Sequence, residues 1–144
     1  MVKNNRKKAH LIFEDGTTFE GWSCAAEGQA TAPVHAHTEV VGHQELITDP
    51  AHAGKILLMT MPQIGNYGVN ASDSTSDTVP ISGLVVREMC YEPSNFRAEK
   101  SLPEFLDEND IVALDGVDTR AVMLYLREHP DAVGTIKLLE GEVV

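Results

Sequence analysis

Residues 111–139 read IVALDGVDTRAVMLYLREHPDAVGTIKLL, and the type of fold is written in this stretch. It divides into a short apolar run (IVALDGV), a helical segment opening at Asp118, and a second strand-like run (GTIKLL). Asp118 suits a helix N-cap, because its carboxylate can accept an otherwise unpaired N–H of the first turn. Val122, Tyr125 and Leu126 then share one face, and Pro130 ends the segment. A strand–helix–strand unit of this kind belongs to a sheet with helices laid on it.

The flanking segments extend the pattern. Ser101 and Glu104 have capping-box spacing, with Pro103 tolerated in the first turn of a helix running to about Asn109. GLVVREM and KILLMTM read as strands, the latter so continuously apolar that both its faces should be buried. TDPAHAG predicts one helical turn, with Asp49 as cap, Pro50 at the first position and Gly54 as the stop. Near the N-terminus, HLIFEDGTTFEGW sets Asp15-Gly16 between two strand-like runs, a dipeptide whose positive φ angles suit a tight hairpin. CAAEGQATAP is a looser connection, and residues 62–82, including SDSTSDT, have loop composition. Strands come first, then strand, helix, strand, helix, strand. The order predicts an α/β domain with antiparallel and parallel portions.

A length of 144 residues suits one core. The expected division is a disordered basic tail at 1–8 and one domain at 9–144. The net charge is −11, from 22 acidic and 11 basic residues. Lys3, Arg6, Lys7 and Lys8 fall in the tail, so the body is more acidic still. Such a surface repels phosphate backbones and anionic lipid, which argues against nucleic-acid and membrane partners. No apolar run reaches transmembrane length. Cys24 and Cys90 form no CxxC pair, which fits free thiols and a cytoplasmic setting.

Candidate chemistry centres on PVHAHTEVVGHQE at 33–45. On a strand His35, His37 and Glu39 would share one face, with His43 after a glycine, and two imidazoles with a carboxylate can hold zinc with an open position. The competing reading is a solvent-facing stripe of an edge strand, with Val34, Ala36 and Val40 turned inward. Cys24 and Cys90 lack an activating context. The loop Gly65-Asn66-Tyr67-Gly68 lacks the spacing and the lysine of a phosphate-binding loop. In Asp118-Thr119-Arg120 the carboxylate has a structural use as cap. No catalytic, cofactor-binding or metal residue is therefore assigned.

The ordered blocks LIFEDGTTFEGW, GHQELITDP, IGNYGVN, GLVVRE, PSNFRAEKSLPEFL and GVDTRAVMLYLRE closely resemble the N-terminal domain of the carbamoyl-phosphate synthetase small subunit, over about residues 9 to 136. The resemblance implies a three-layer β/β/α fold of the swivelling type with mixed parallel and antiparallel sheets. It implies a non-catalytic docking domain, tied to carbamoyl phosphate supply for arginine and pyrimidine synthesis, with a large subunit as partner. The glutaminase part of such subunits has no counterpart in these residues, and a free-standing relative is the expectation. The family segment FNTSMTGYQEILTDPS is altered here: Ala36 replaces the aromatic, His37 the asparagine, Glu39 the serine and His43 the tyrosine. Ala51 replaces a serine that the resemblance connects with the glutamine site. Two alternatives stay open. One is a free-standing paralogue acting as a protein-binding module, or pairing with itself as a homo-oligomer. The other is a small metal-dependent hydrolase using His35, His37 and Glu39.

Overall fold

The structure is a computed structural model that describes residues 7–37, 50–60, 80–89 and 101–143, with the side chains of Pro50 and of residues 139–143 left undescribed. In chain order the strands are β1 (Lys7–Phe13), β2 (Thr18–Ser23), β3 (Gln29–His37), β4 (Ile56–Met59), β5 (Gly83–Val85), β6 (Val112–Asp115) and β7 (Val133–Val143). The helices are α1 (Leu102–Glu108) and α2 (Thr119–Glu128), and a 3-10 turn covers Pro50–His52. The strands pair in the order β1-β2-β6-β5-β4-β3-β7, and β7 closes the ring onto β1. Pairing is antiparallel for β1–β2, β1–β7, β2–β6 and β3–β7, and parallel along β3–β4–β5–β6. The domain is thus mixed α/β with a mixed sheet, as expected.

Side-chain alternation divides the core in two. On β4, Ile56 and Leu58 join Leu11, Phe13, Val34, Leu114 and Ile136 in one cluster. Leu57 and Met59, their alternating neighbours, join Leu84, Ala113 and the α1 residues Leu102 and Leu106 in the other. Successive strand residues point to opposite faces, so a strand covered on both sides must be apolar throughout. All four residues of β4 are buried, as are all of β5 and β6. α2 adds Val122 and Leu126 to the first cluster, while Tyr125 only packs against its rim.

The caps appear where their residue types require. The Glu104 N–H donates to Ser101 Oγ at 3.3 Å, and the Ser101 N–H donates to Glu104 Oε1 at 3.4 Å. Asp118 Oδ1 accepts from the Ala121 N–H at 3.1 Å.

Several expectations need correction. Among the described residues, β1 begins at Lys7, so Lys7 and Lys8 belong to the sheet and not to a tail; β7 residues pair with β1 and hold it in register. The first hairpin is not a two-residue turn. The Phe13 N–H donates to the Thr17 carbonyl at 2.8 Å and the Gly16 N–H to the Phe13 carbonyl at 2.9 Å, leaving a three-residue loop. Gly16 alone in that loop has positive φ, +91°, and Asp15 instead accepts the Thr17 N–H at 2.9 Å. β3 is no edge strand, since it lies between β4 and β7. Val34 faces inward as expected but Ala36, paired with Leu58 of β4, is exposed.

Candidate functional site

The histidine segment begins on β3, where parallel pairing sets His35 opposite Leu57 and His37 opposite Met59. His35 is exposed and His37 half-buried, while Glu39 and His43 lie outside the described residues. The His37 Nε2 atom is buried with no hydrogen-bond partner among the described residues, and its ring stands edge-on to that of His52 at 6.1 Å between centroids. His52 ends the 3-10 turn that leads into β4. His35 holds its proton less readily than a free imidazole: partial burial is the main cause, followed by the nearby Lys55 and His52, with Asp131 opposing. Among the described residues no three His, Cys, Asp or Glu side chains gather closely enough to hold a metal ion. The sequence pattern therefore delivers His35 and His37 to neighbouring positions with a third histidine nearby. The carboxylate that the hydrolase reading requires falls outside the described residues.

The other candidates resolve as structure. Cys24 is a buried thiol in the cluster under α1. Cys90 and the Gly65–Gly68 loop lie outside the described residues. Asp118 is the cap of α2, Thr119 is buried beneath it and Arg120 is exposed. Ala51 is exposed on the 3-10 turn.

Two concave surfaces frame this picture. An open groove of about 510 Å³ runs along β2, lined among others by Lys8, Glu20, Trp22, Gly116 and Asp118. Lys8 Nζ stands 5.8 Å from the centroid of the Trp22 ring, within cation–π range. A smaller pocket of about 240 Å³ opens between β3 and α2, with His35 and Arg127 in its lining. Sequence reading missed Lys55, His52 and Arg127 as neighbours of His35. No local spacing announces them, because they come from the turn before β4 and from the last turn of α2.

Comparison with known proteins accounts for the architecture. A family model described as "Carbamoyl-phosphate synthase small chain, CPSase domain" matches residues 11–136. The carbamoyl phosphate synthase small chain of Aquifex aeolicus is 45% identical over 137 residues, covering 95% of this chain and 37% of its own length. That of Caldanaerobacter subterraneus subsp. tengcongensis is 46% identical over 129 residues, covering 90% of this chain and 36% of its own. The chain thus spans little more than a third of the length of these relatives. Among solved structures, an aminopeptidase from Aneurinibacillus sp. strain AM-1 superposes with a TM-score of 0.54 at 16% identity. It covers 96% of this chain and 34% of that one, a likeness of fold alone. With the family match running from β1 into β7, through every strand of the ring, the chain belongs to the carbamoyl-phosphate synthase small chain family, as its CPSase domain.

Proposed function

We propose that this chain is a non-catalytic docking and assembly domain of the carbamoyl-phosphate synthase small-subunit type, whose partner is the large subunit of that enzyme. In this reading it contributes no bond-making group. It presents a rigid surface within a complex that supplies carbamoyl phosphate for arginine and pyrimidine synthesis in the cytoplasm. The observation that carries the proposal is the small-chain match over residues 11–136. The fates of the candidate residues agree with it: Asp118 is occupied as a cap and Cys24 is buried under α1. The finer fold assignment, a three-layer β/β/α domain of the swivelling type, belongs to the same proposal. In its favour, α1 covers one face of β4–β5–β6 while β1 and β7 contribute to the cluster on the other.

The test is direct. Purified chain is titrated calorimetrically with a carbamoyl-phosphate synthase large subunit from the same source, and glutamine hydrolysis by the chain alone is assayed in parallel. Saturable binding with no hydrolysis is expected. Glutaminase activity in the pure chain, or no heat of binding to an active large subunit, refutes the reading. A second reading, the same fold refitted to another protein partner, is favoured by Ala51, exposed where the resembling family carries a serine. Failure to bind the large subunit, together with saturable binding to a different protein, would select it.

A further inference from the structure

Basic groups collect at one corner of a protein whose net charge is −11. His35 comes from β3, His52 and Lys55 from the turn before β4, and Arg127 from the last turn of α2. The 240 Å³ pocket between β3 and α2 lies at this corner. Val34, Met123, Leu126 and Pro130 supply its apolar lining, with His35 and Arg127 as its titratable or charged members. Lys55 and His52 stand close enough to His35 to act on its ring electrostatically, with Asp131 the acidic group nearby. Among the described residues neither Lys55 nor Arg127 has an ion-pair partner, although acidic residues outnumber basic ones two to one across the chain.

Cations without an ion-pair partner among the described residues, beside a small apolar hollow, ask for an anion with an apolar part. We propose that this corner is a binding site for a small carboxylate carrying a short apolar tail. The carboxylate meets the forked guanidinium of Arg127 and the ring of His35, an arrangement that favours a planar two-oxygen anion. Lys55 adds attraction without needing contact. The tail covers Val34, Met123 and Leu126. A bare phosphate would satisfy the charge but leave the apolar lining in water, so it is the poorer fit. At about 240 Å³ the hollow falls below the range of about 300–1,000 Å³ usual for drug-sized ligands, so the ligand is small. The inference stands apart from the docking proposal and holds or fails without it.

The test is an NMR titration of the full chain with sodium hexanoate, reading the His35 ring signals and the Met123 methyl signal. Hexylammonium chloride, sodium phosphate and sodium chloride at matched ionic strength serve as comparisons. Saturable movement of both probes with hexanoate alone is expected. Arg127→Gln should weaken it about tenfold, the scale of a lost charged hydrogen bond. Lys137→Gln, which removes the same charge from an exposed position on β7, should leave it unchanged. Movement that never saturates, that phosphate or chloride reproduces, or that both variants weaken equally overturns the proposal.

Discussion

Gly21 sits where β2 passes closest to the chain leaving β6, and a Cβ there would lie 2.6 Å from Val117 Cγ2 and 2.7 Å from the Asp115 carbonyl oxygen. One of these neighbours is backbone and cannot swing aside. Gly21→Ala should therefore destabilise by about 1–3 kcal/mol, the usual cost of overpacking, measured as a lower urea midpoint at unchanged slope. A midpoint equal to that of the parent chain would show that β2 and β6 are not so close. Asp15 offers a residue-scale test in pH. Its carboxyl is held below the ordinary 3.8, chiefly by the Thr17 main-chain N–H, then by the Thr17 side chain, and also by the Tyr125 hydroxyl, which donates at 2.9 Å. A depressed folded-state value means the unfolded chain binds this proton more readily. The contribution to stability is then present above pH 3.8 and is lost as the pH falls through the lower folded value. In Tyr125→Phe the Asp15 carboxyl signal should titrate at higher pH than in the parent. Identical titration curves would mean that the Tyr125–Asp15 bond does not persist in solution.

At the scale of elements, α1 is only seven residues long, too short to stand by propensity alone. Its capping box and its buried Leu102 and Leu106 hold it to the sheet. Ser101→Ala removes the hydroxyl that accepts the Glu104 N–H and should cost about 1 kcal/mol in chemical denaturation. Leu106→Ala empties a fully buried site beside the β4–β6 face and should cost about 2–5 kcal/mol. If the two changes cost the same, α1 is held by its cap and not by its packing. The spacing of Ser101 and Glu104 announced this helix, because a cap is made by residues three apart. The length of β7 was not announced. GTIKLL accounts for residues 134–139 of a strand that runs Val133–Val143, and its ends are set by pairing with β3 and β1, far away in sequence.

For the whole molecule, a net charge of −11 works against compactness. Raising salt from about 0.01 to 0.15 M shortens the screening length from about 30 to 8 Å, so self-repulsion should weaken and the thermal midpoint should rise. A midpoint that falls over that range would mean that favourable ion pairs outweigh the repulsion. Among the described residues such pairs are few and lie at the surface, as in Lys7 Nζ to Glu27 Oε1 at 2.9 Å. What sequence alone determined was local or cumulative: the caps at Ser101 and Asp118, the doubly buried character of Ile56–Met59, the acidic charge, and the family, from blocks in fixed order. Only the tertiary structure decided that β3 is an interior strand, that β7 closes the ring, and that Lys55, His52 and Arg127 surround His35. The physical reason is range. A cap or a turn is settled by groups within a few residues, and a covered face leaves a continuous apolar run. Strand partners and the gathering of charges from separate elements depend on contacts across the whole chain, which no local spacing records.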